Sequence, residues 1–407
     1  MSRRLDNWLT RYREYARDNY CPQSFHLWTG ITVLAGALER KVWAVNGKIT
    51  FYPNVFTVLV TYPGVGKSTA LDRGTDILER LKEEFNPEFK FIAEQITEPG
   101  LVKDMELKQE IWVTPTKSVF HSSGFFYASE ASASALQNTH GTFTSTITRF
   151  YDCPRVFRKT TKGEHEKPTE IYNVCFNMLA GATFDYLKNL VNESSAMGGF
   201  ASRIIYVISK EREIRSPKWG DSDNNDQDMQ DALFVDLCEI HKLQGAFRPT
   251  PGFRAAWEEF QPESDRALAA MNSSRLESLA ARKSTNTMKV AMLLSVAESN
   301  DLVLDTRHWD EAMELIEEVS KDNAFILSQG AMADRNSQTG VTQVIGQTLK
   351  KAGGTLPMAA LKRIVLAHGN NVEAITKTLD YMQGAGWIKV DTSSGSTELL
   401  VDPDRYL

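Results

Sequence analysis

The sequence predicts an α/β fold, in which a central domain alternates strands with helices and smaller parts flank it. An apolar β-branched run, FTVLV at 56–60, leads through a glycine turn into a helical pattern. Two further apolar runs, at 125–128 and 170–180, predict buried strands that end in small or polar residues. Such alternation is typical of a parallel sheet covered by helices. The predicted parts are an N-terminal helical segment with a hairpin (1–52), the α/β core (53–215), a linker with an α-helical domain (216–335) and a terminal domain (340–407).

Length, charge and cysteine content narrow the class of protein. A chain of 407 residues is too long for one ordinary core, which predicts two or three domains. The net charge of −6 argues against indiscriminate binding of polyanions, so a nucleic-acid contact needs a local basic patch. No run of about 18 apolar residues exists and the first residues lack a signal-peptide core, so we expect a cytoplasmic protein without a membrane segment. The four scattered cysteines are expected to be reduced thiols.

The first 52 residues are expected to pack before the core or onto it. Apolar residues at helical spacing in 5–12 and a mostly apolar run at 25–38 predict two helices. The stretch 41–52 carries Asn46-Gly47 between β-rich arms, which predicts a β-hairpin.

A phosphate-binding pattern follows the first core strand. Its residues are Pro63, Gly64, Val65, Gly66, Lys67, Ser68 and Thr69. Backbone N–H groups of such a turn, and of the helix behind it, bind phosphates, which predicts ATP with Mg²⁺ as the ligand. We expect Lys67 to contact the β- and γ-phosphates and Ser68 to hold Mg²⁺. Thr61 stands where the pattern usually has glycine, and a purely structural glycine turn is the alternative.

The predicted strand at 125–128 ends in Ser129 and Glu130. In P-loop ATPases such a strand end carries one carboxylate for the Mg²⁺ shell and a following glutamate that polarises the attacking water. Glu130 stands in the catalytic position, whereas Ser129 replaces the usual aspartate and would hydrogen-bond a metal-bound water. The alternative is that Glu130 is an acid favoured by the dipole at a helix start.

Two further positions carry polar side chains suited to phosphate charge. Thr183 follows the predicted strand 170–180 and is expected to sense the γ-phosphate, while Asn177, inside that strand, is more simply a satisfied core amide. Arg203 ends a glycine-rich turn before an apolar strand and would present its guanidinium to the γ-phosphate of a neighbouring subunit. A salt bridge at the strand edge is the alternative for Arg203.

The most basic loop of the chain, 154–168, is the predicted contact with single-stranded nucleic acid. It carries Arg155, Arg158, Lys159 and Lys162 beside two glutamates. Such a loop suits flexible contacts with a phosphate backbone. A solvated hairpin tip explains the same charges.

The second half of the chain predicts helices and then a winged helix. A polar linker at 216–226 leads to four helical patterns between 229 and 327, whose apolar stripes are core rather than cofactor sites. After a second linker at 329–340, three helical patterns and two β-runs around a polar tip predict a winged helix. Its third helix is not basic, so docking on a protein or capping a ring explains it as well as reading of DNA.

The ordered motifs resemble those of a family of phage and mobile-element P-loop ATPases, the RecA-like primase- or helicase-associated domains. The matching stretches are YPNVFTVLVTYPGVGKST, TEPGL, FFYASEASASAL, a strand ending in LAGAT, and GGFASR. They span about residues 20–215, the helical part matches more weakly, and the tail matches only by pattern. The resemblance implies a RecA-like P-loop ATPase core, ATP hydrolysis, assembly into a ring and a role in DNA replication.

Carried over to this sequence, the resemblance implies Lys67 and Ser68 for nucleotide and Mg²⁺, Glu130 for water activation, Thr183 as sensor and Arg203 as a finger acting in trans. The chain has no primase-type acidic cluster and no zinc ribbon, so primer synthesis would need another protein.

Three functions are compatible with these motifs. The preferred hypothesis is a ring-forming, ATP-driven translocase on single-stranded DNA, namely a hexameric replicative helicase that works with a primase or a loader. The alternative is an ATP-switched replication initiator or helicase loader, which binds DNA or a partner through the winged helix. Ser129 in place of the usual aspartate favours this alternative slightly, because slow hydrolysis suits a switch. A P-loop kinase of a small molecule explains neither the winged helix nor the GGFASR turn.

Overall fold

The computed structural model describes residues 3–17, 21–106, 109–114, 117–137, 141–160, 168–187, 198–209, 224–269, 281–335, 338–368, 370–391 and 395–400. The chain forms two compact units, Met1–Ala324 and Phe325–Leu407, which are described one at a time. No helix in these ranges is long and apolar enough to cross a membrane.

The first unit alternates helices and strands along the chain. Its helices are α1 (Trp8–Tyr15), α2 (Gln23–Leu38), α3 (Lys67–Glu84), α4 (Glu98–Glu106), α5 (Thr142–Tyr151), α6 (Gly198–Ala201), α7 (Asn224–His241), α8 (Pro251–Ala269), α9 (Lys283–Glu298) and, beginning in this unit, α10 (Thr306–Arg335). Its strands are β1 (Val42–Asn46), β2 (Ile49–Phe51), β3 (Phe56–Val60), β4 (Phe91–Ile92), β5 (Gln109–Thr114), β6 (Lys117–Ala128), β7 (Val156–Lys159), β8 (Thr169–Tyr172), β9 (Val174–Ala182), β10 (Ile204–Ile208), β11 (Gly245–Ala246), β12 (Arg248–Pro249) and β13 (Val303–Leu304).

A six-stranded sheet forms the centre of the first unit. Its strands run parallel in the order β10-β3-β9-β6-β4, and β5 is added antiparallel to β6. Consequently β9 lies between β3 and β6, with Val58 of β3 opposite Ala180. Both β3 and β9 are buried along their whole length, because helices cover both faces of the sheet. The predicted α/β class, a central parallel sheet with many helices, is confirmed.

Helices pack on both faces of the central sheet. On one face α2, which is buried over most of its length, lies with Gly36 against Phe125, and α3 packs beside it. On the other face Phe150 of α5 packs against Phe176, with their ring centres 5.7 Å apart. Because α1, α7 and α9 also pack on α2, the N-terminal helices share one hydrophobic core with the sheet.

The predicted N-terminal hairpin is confirmed. β1 and β2 pair antiparallel with Asn46 opposite Ile49, so Gly47 and Lys48 form a two-residue turn. Gly47 has φ 58°, the left-handed conformation that such a turn requires and that glycine adopts without strain.

The single strand predicted over 170–180 is wrong. Asn173 adopts φ 50° and divides the stretch into β8 and β9. Its N–H donates to the carbonyl of Arg155, and its side-chain amide donates to the carbonyl of Phe120. Since asparagine tolerates the left-handed region better than most residues, the chain turns there, and β8 leaves the sheet to pair with β7.

The second unit contains three helices and a small sheet. Its elements are α11 (Gln338–Lys351), β14 (Thr355–Pro357), α12 (Met358–Ala367), α13 (Val372–Gly384), β15 (Ile388–Asp391) and β16 (Ser396–Leu399). The strands are antiparallel in the order β14-β16-β15 and cover a core of their own. The three helices and the two later strands agree with the sequence pattern, which does not predict β14.

The two predicted linkers have different outcomes. Residues 216–223 of the first linker lie outside the described ranges, and α7 already begins at Asn224. The second, at 329–340, is wrong as a linker because α10 extends to Arg335 and α11 begins at Gln338. Polar composition suggested a loop there, but polar residues are equally common on exposed helix faces.

Candidate phosphate-binding site

The turn between β3 and α3 lies at the carboxyl edge of the central sheet. Gly64 and Gly66 have φ 83° and 89°, in the left-handed region where a side chain would be strained. Gly66 is the residue before the first turn of α3, and the N–H groups of that turn have no carbonyl partners within the helix. The loop therefore combines unpaired backbone donors with the positive end of a helix, which is an arrangement that binds phosphate.

Lys67 contacts a carboxylate from the acidic strand. Its Nζ lies 2.5 Å from Oε2 of Glu130, which follows the end of β6. The side chains are 12 % and 30 % exposed, so the pair is shielded but open on one side. The structure thus brings together two of the residues that the sequence predicts for nucleotide chemistry.

Gly181, near the end of β9, makes this contact possible. A Cβ at this position would lie 2.5 Å from the carbonyl oxygen of Ser129 and 2.7 Å from Cδ of Lys67. Real Cβ atoms do not approach other atoms so closely, so the stem of Lys67 crosses β9 only because residue 181 has no side chain. Sequence reasoning did not assign a role to Gly181.

Glu94 supplies a second carboxylate that sequence reasoning missed. It follows β4, the neighbour of β6, and its Oε1 lies 3.4 Å from both the hydroxyl of Ser129 and the N–H of Glu130. Its carbonyl accepts the N–H of Ala135 at 2.9 Å, which holds its backbone beside the segment after β6. The available signal was an acid directly after the short apolar run at 89–93.

The other loop residues differ in exposure. Pro63, Ser68 and Thr69 are exposed, whereas Val65 is buried. Thr61 is 1 % exposed, and its hydroxyl has no hydrogen-bond partner in the described part of the chain. A buried hydroxyl without a partner is unusual, and here it lies at the position where the phosphate-loop pattern usually has glycine.

Oxygen donors for Mg²⁺ surround the loop. They are the hydroxyls of Ser68 and Ser129 and the carboxylates of Glu94 and Glu130. Within the described ranges no cluster of three His, Cys, Asp or Glu side chains is arranged to hold a metal ion. Mg²⁺ keeps several waters and commonly takes ligands from substrate phosphates. The residues therefore fit a magnesium ion that binds together with a nucleotide.

Thr183 lies at the same edge, directly after β9 and between the ends of β3 and β6. Its hydroxyl accepts the N–H of Tyr186 at 3.3 Å and so caps the helical turn at 184–187. Its predicted contact with a γ-phosphate stays a prediction. Asn177 is 1 % exposed, with hydrogen bonds to the N–H of Val55 and the carbonyl of Ala35, which makes it a satisfied core amide.

Arg203 lies at the opposite edge of the sheet. It precedes β10, whose first residue, Ile204, pairs with Phe56, the first residue of β3, whereas the phosphate loop follows the last residue of β3. Five residues of strand span roughly 13 Å between these edges. The guanidinium binds both oxygens of Asp152, with Nη2 to Oδ2 at 2.7 Å, and it donates to the carbonyl of Gly199 at 2.5 Å. In this chain Arg203 therefore makes a salt bridge away from its own phosphate loop.

The strands β7 and β8 flank the centre of the predicted basic loop and pair as a hairpin, while residues 161–167 between them lie outside the described ranges. Arg158, on β7, is 63 % exposed and pairs with Glu170 of β8, with Nε to Oε1 at 2.6 Å. Lys159 pairs with Glu98, a carboxylate that is 5 % exposed and also accepts the hydroxyl of Thr146. Arg155 is exposed. The fourth predicted residue of this set, Lys162, lies outside the described residues.

No protein-family model matches the chain, and the search of curated proteins found no match. The function is therefore inferred from the geometry of the loop and its neighbours. That geometry joins Lys67, Glu130, Glu94 and Thr183 at one edge of the sheet and leaves Arg203 at the other.

Proposed function

We propose that this protein is a Mg²⁺-dependent ATPase with a RecA-like P-loop core. The observation that carries the proposal is the contact of Lys67 with Glu130 across Gly181, beside a left-handed Gly66 that opens α3. A purely structural glycine turn would need neither a lysine side chain that passes over Gly181 of β9 nor a carboxylate that pairs with the ammonium of that lysine. The position of β9, between the phosphate-loop strand and the acidic strand, supports the same fold, because it brings Thr183 close to both.

The side chains at this edge divide the work of hydrolysis. N–H groups of the loop and of the first turn of α3 bind phosphate oxygens, and Lys67 exchanges the carboxylate of Glu130 for the phosphates. Glu130, once released, accepts a proton from the attacking water, and Glu94 adds negative charge near Ser129. Mg²⁺, held by Ser68 and through water by Ser129, would neutralise phosphate charge.

Ring assembly explains the position of Arg203. A finger that serves a neighbour must lie away from its own phosphate loop, and Arg203 lies at the opposite edge of the sheet. We propose that the chain forms a hexameric ring around single-stranded DNA, with Arg155 and Arg158 among the phosphate contacts, and that it is a replicative helicase of a phage or mobile element. The fold of α11–α13 with β14–β16 supports a winged helix at the end of the chain.

A second candidate function is an ATP-switched initiator or helicase loader. It is favoured by the terminal unit, where Val372 and Tyr381 on α13 are 64 % and 48 % exposed and Glu373 pairs with Lys377. These exposed side chains carry no excess of basic charge, so they suit a protein partner better than DNA. Ser129, in place of an aspartate, agrees with the slow hydrolysis that a switch requires.

The deciding experiment measures ATP hydrolysis with and without single-stranded DNA for the wild type and for Lys67→Ala. We expect strong stimulation by DNA in the wild type and no turnover in Lys67→Ala. Lys48→Ala is the control, because Lys48 is an exposed lysine in the β1–β2 turn. Equal turnover in Lys67→Ala and wild type would refute the ATPase assignment.

The size of the oligomer and its ability to separate DNA strands distinguish the two candidate functions. A ring-sized species with a non-hydrolysable ATP analogue, together with displacement of a strand from a forked substrate, is expected for a helicase. Slow hydrolysis that is indifferent to DNA, by a small species that separates no strands, would favour the initiator or loader.

A further inference from the structure

Two arginines share one carboxylate at the amino edge of the central sheet. Arg203 contacts both oxygens of Asp152, with Nη2 at 2.7 Å from Oδ2 and 3.0 Å from Oδ1. Arg282, directly before α9, approaches the same carboxylate with Nη1 at 3.8 Å from Oδ1. The N-terminus of α9 adds partial positive charge on the side of Arg282.

Hydrogen bonds hold the backbone on both sides of Asp152 in place. Its neighbours Tyr151 and Cys153 both bond to Asn54, two residues before β3: Asn54 donates to the carbonyl of Tyr151 at 2.9 Å, and the thiol of Cys153 donates to Oδ1 of Asn54 at 3.2 Å. Lys289 of α9 donates to the same Oδ1 at 2.8 Å and lies 3.8 Å from the centre of the Tyr151 ring. The end of α5, the start of β3 and α9 thus hold the cluster together.

The cluster has an excess of positive charge. Arg203 and Arg282 both approach a single carboxylate, Asp152, and Lys289 lies over the ring of the adjacent Tyr151. The planar fork of arginine binds carboxylate and phosphate oxygens in the same way, so a bidentate carboxylate marks a position that also suits phosphate. Asp152 and Arg282 are 31 % and 30 % exposed, and Arg203 is 11 % exposed. An anion from outside therefore reaches Arg282 directly and reaches Arg203 once Asp152 moves aside.

We propose that Arg203 and Arg282 together receive the terminal phosphate of a nucleotide bound by a second copy of this chain. In a subunit without a neighbour, Asp152 occupies their binding position. On assembly the phosphate displaces Asp152, so that the aspartate is a positioning residue and Arg282 is a second cation for the transferred phosphoryl group. This inference rests on the proposed ATPase function and adds to it Arg282, Asp152 and the exchange of one anion for another.

Arg282→Ala tests the second cation. Because a cation in trans stabilises charge that develops in the transition state, we expect kcat to fall by roughly 10²-fold, with KM for ATP changed little. Arg282→Lys is expected to recover part of this loss, since the charge is kept while the planar fork is lost. The matched control is Arg254→Ala, an exposed arginine of α8 with no ion pair in the described ranges, which should keep wild-type turnover.

Asp152→Asn tests the displaced carboxylate. The neutral amide no longer competes with phosphate for Arg203, so we expect half-maximal turnover at a roughly three- to tenfold lower protein concentration than in the wild type. At protein concentrations too low for assembly, binding of a fluorescent ATP analogue should be unchanged in both Asp152→Asn and Arg282→Ala, because a subunit's own phosphate loop lies at the other edge of the sheet. That measurement also shows that the variants are folded.

Several results would overturn the inference. Turnover of Arg282→Ala equal to that of Arg254→Ala would remove Arg282 from the site. A loss of turnover in Asp152→Asn at every protein concentration would make the salt bridge structural. If both variants lowered affinity for single-stranded DNA and left turnover unchanged, the cluster would bind a nucleic-acid phosphate instead.

Failure of the proposed function has a different signature. In that case the wild type hydrolyses no ATP, or Lys67→Ala hydrolyses it equally well. If the wild type and Lys67→Ala behave as expected while Arg282→Ala matches its control, only the inference about the second arginine fails.

Discussion

At the scale of single residues, the site depends on a glycine, Gly181, which has no side chain. Lys67 passes over Gly181, and its ammonium then reaches Glu130 at 2.5 Å. A lysine on α3 and a glutamate after β6 therefore meet because the intervening strand, β9, presents no Cβ at that point.

Gly181→Ala is expected to displace Lys67. The new Cβ would lie 2.5 Å from the Ser129 carbonyl and 2.7 Å from Cδ of Lys67, so both must shift. We expect ATP affinity to fall by at least about tenfold and stability to fall by roughly 1–3 kcal/mol, as for overpacked cores. Titration with an ATP analogue and urea unfolding measure the two effects.

Gly384→Ala is the control for that substitution. A Cβ on Gly384 meets nothing within 4 Å, so both quantities should stay near the wild-type values. Wild-type nucleotide affinity in Gly181→Ala would show that the lysine stem has another path to the phosphates.

The two glutamates at the carboxyl edge are expected to differ in effect. Glu130→Gln removes the base that would activate water, so hydrolysis should fall by roughly 10²–10⁴-fold while nucleotide binding persists. Glu94→Gln should cause a smaller loss, because Glu94 touches Ser129 and the Glu130 N–H only at 3.4 Å. Single-turnover hydrolysis measures both, with Glu79→Gln on the exposed side of α3 as the control. A larger loss in Glu94→Gln would exchange the two roles.

At the scale of elements, the hairpin of β7 and β8 separates two residues that look equivalent in the sequence. Arg158 pairs across the hairpin with Glu170 and is 63 % exposed. Lys159 instead pairs inward with Glu98. Adjacent residues of a strand point to opposite faces, so one faces solvent and the other anchors the hairpin to α4.

Substitution of the two hairpin cations should therefore have different results. Arg158→Ala is expected to weaken binding of single-stranded DNA and to lower the slope of log affinity against log salt by about 0.7. Lys159→Ala leaves the buried carboxylate of Glu98 without its cation and should cost roughly 1–3 kcal/mol of stability with little change in salt slope. Salt titrations and urea unfolding separate the outcomes. If the salt slope were equal in Arg158→Ala and wild type, the hairpin would be only a solvated surface.

At the scale of the whole molecule, buried histidines make stability depend on pH. Burial, together with the nearby charge of Lys41, lowers the pKa of His241 to about 4. Burial likewise lowers the pKa of His121 to about 4. Both side chains lie in the first unit, His241 at the end of α7 and His121 within β6.

We expect the protein to lose stability as the pH falls from about 6.5 to about 4. In this window the unfolded chain binds protons at these histidines, with a pKa of about 6.5, and the folded chain does not, so acid favours unfolding. Each histidine contributes about 1.4 kcal/mol per pH unit at most. Urea unfolding at pH 7.5, 6 and 5 measures the slope, which should be smaller in His241→Asn than in the wild type. His368→Gln, at an exposed position after α12, is the control and should keep the wild-type slope.

Local patterns determined the elements of this protein. The strand, glycine turn and helix around Lys67, the hairpin at Asn46-Gly47 and the three helices of the terminal unit follow from neighbouring residues, because hydrophobic period and turn chemistry act over a few positions. The predicted strand boundaries were wrong where the backbone takes an unusual conformation, as at Asn173. An asparagine within a strand pattern carries no local signal for a left-handed turn.

Only the tertiary structure decided which residues meet. The order of strands places Gly181 under Lys67 and Glu94 beside Ser129. It also places Arg203 at the opposite edge of the sheet, where Arg203 and Arg282 both contact Asp152. These contacts join residues far apart in the chain. They arise from parallel pairing and from helices packing on a common sheet, which no local period encodes, so the sequence predicted the chemical groups and the fold selected their partners.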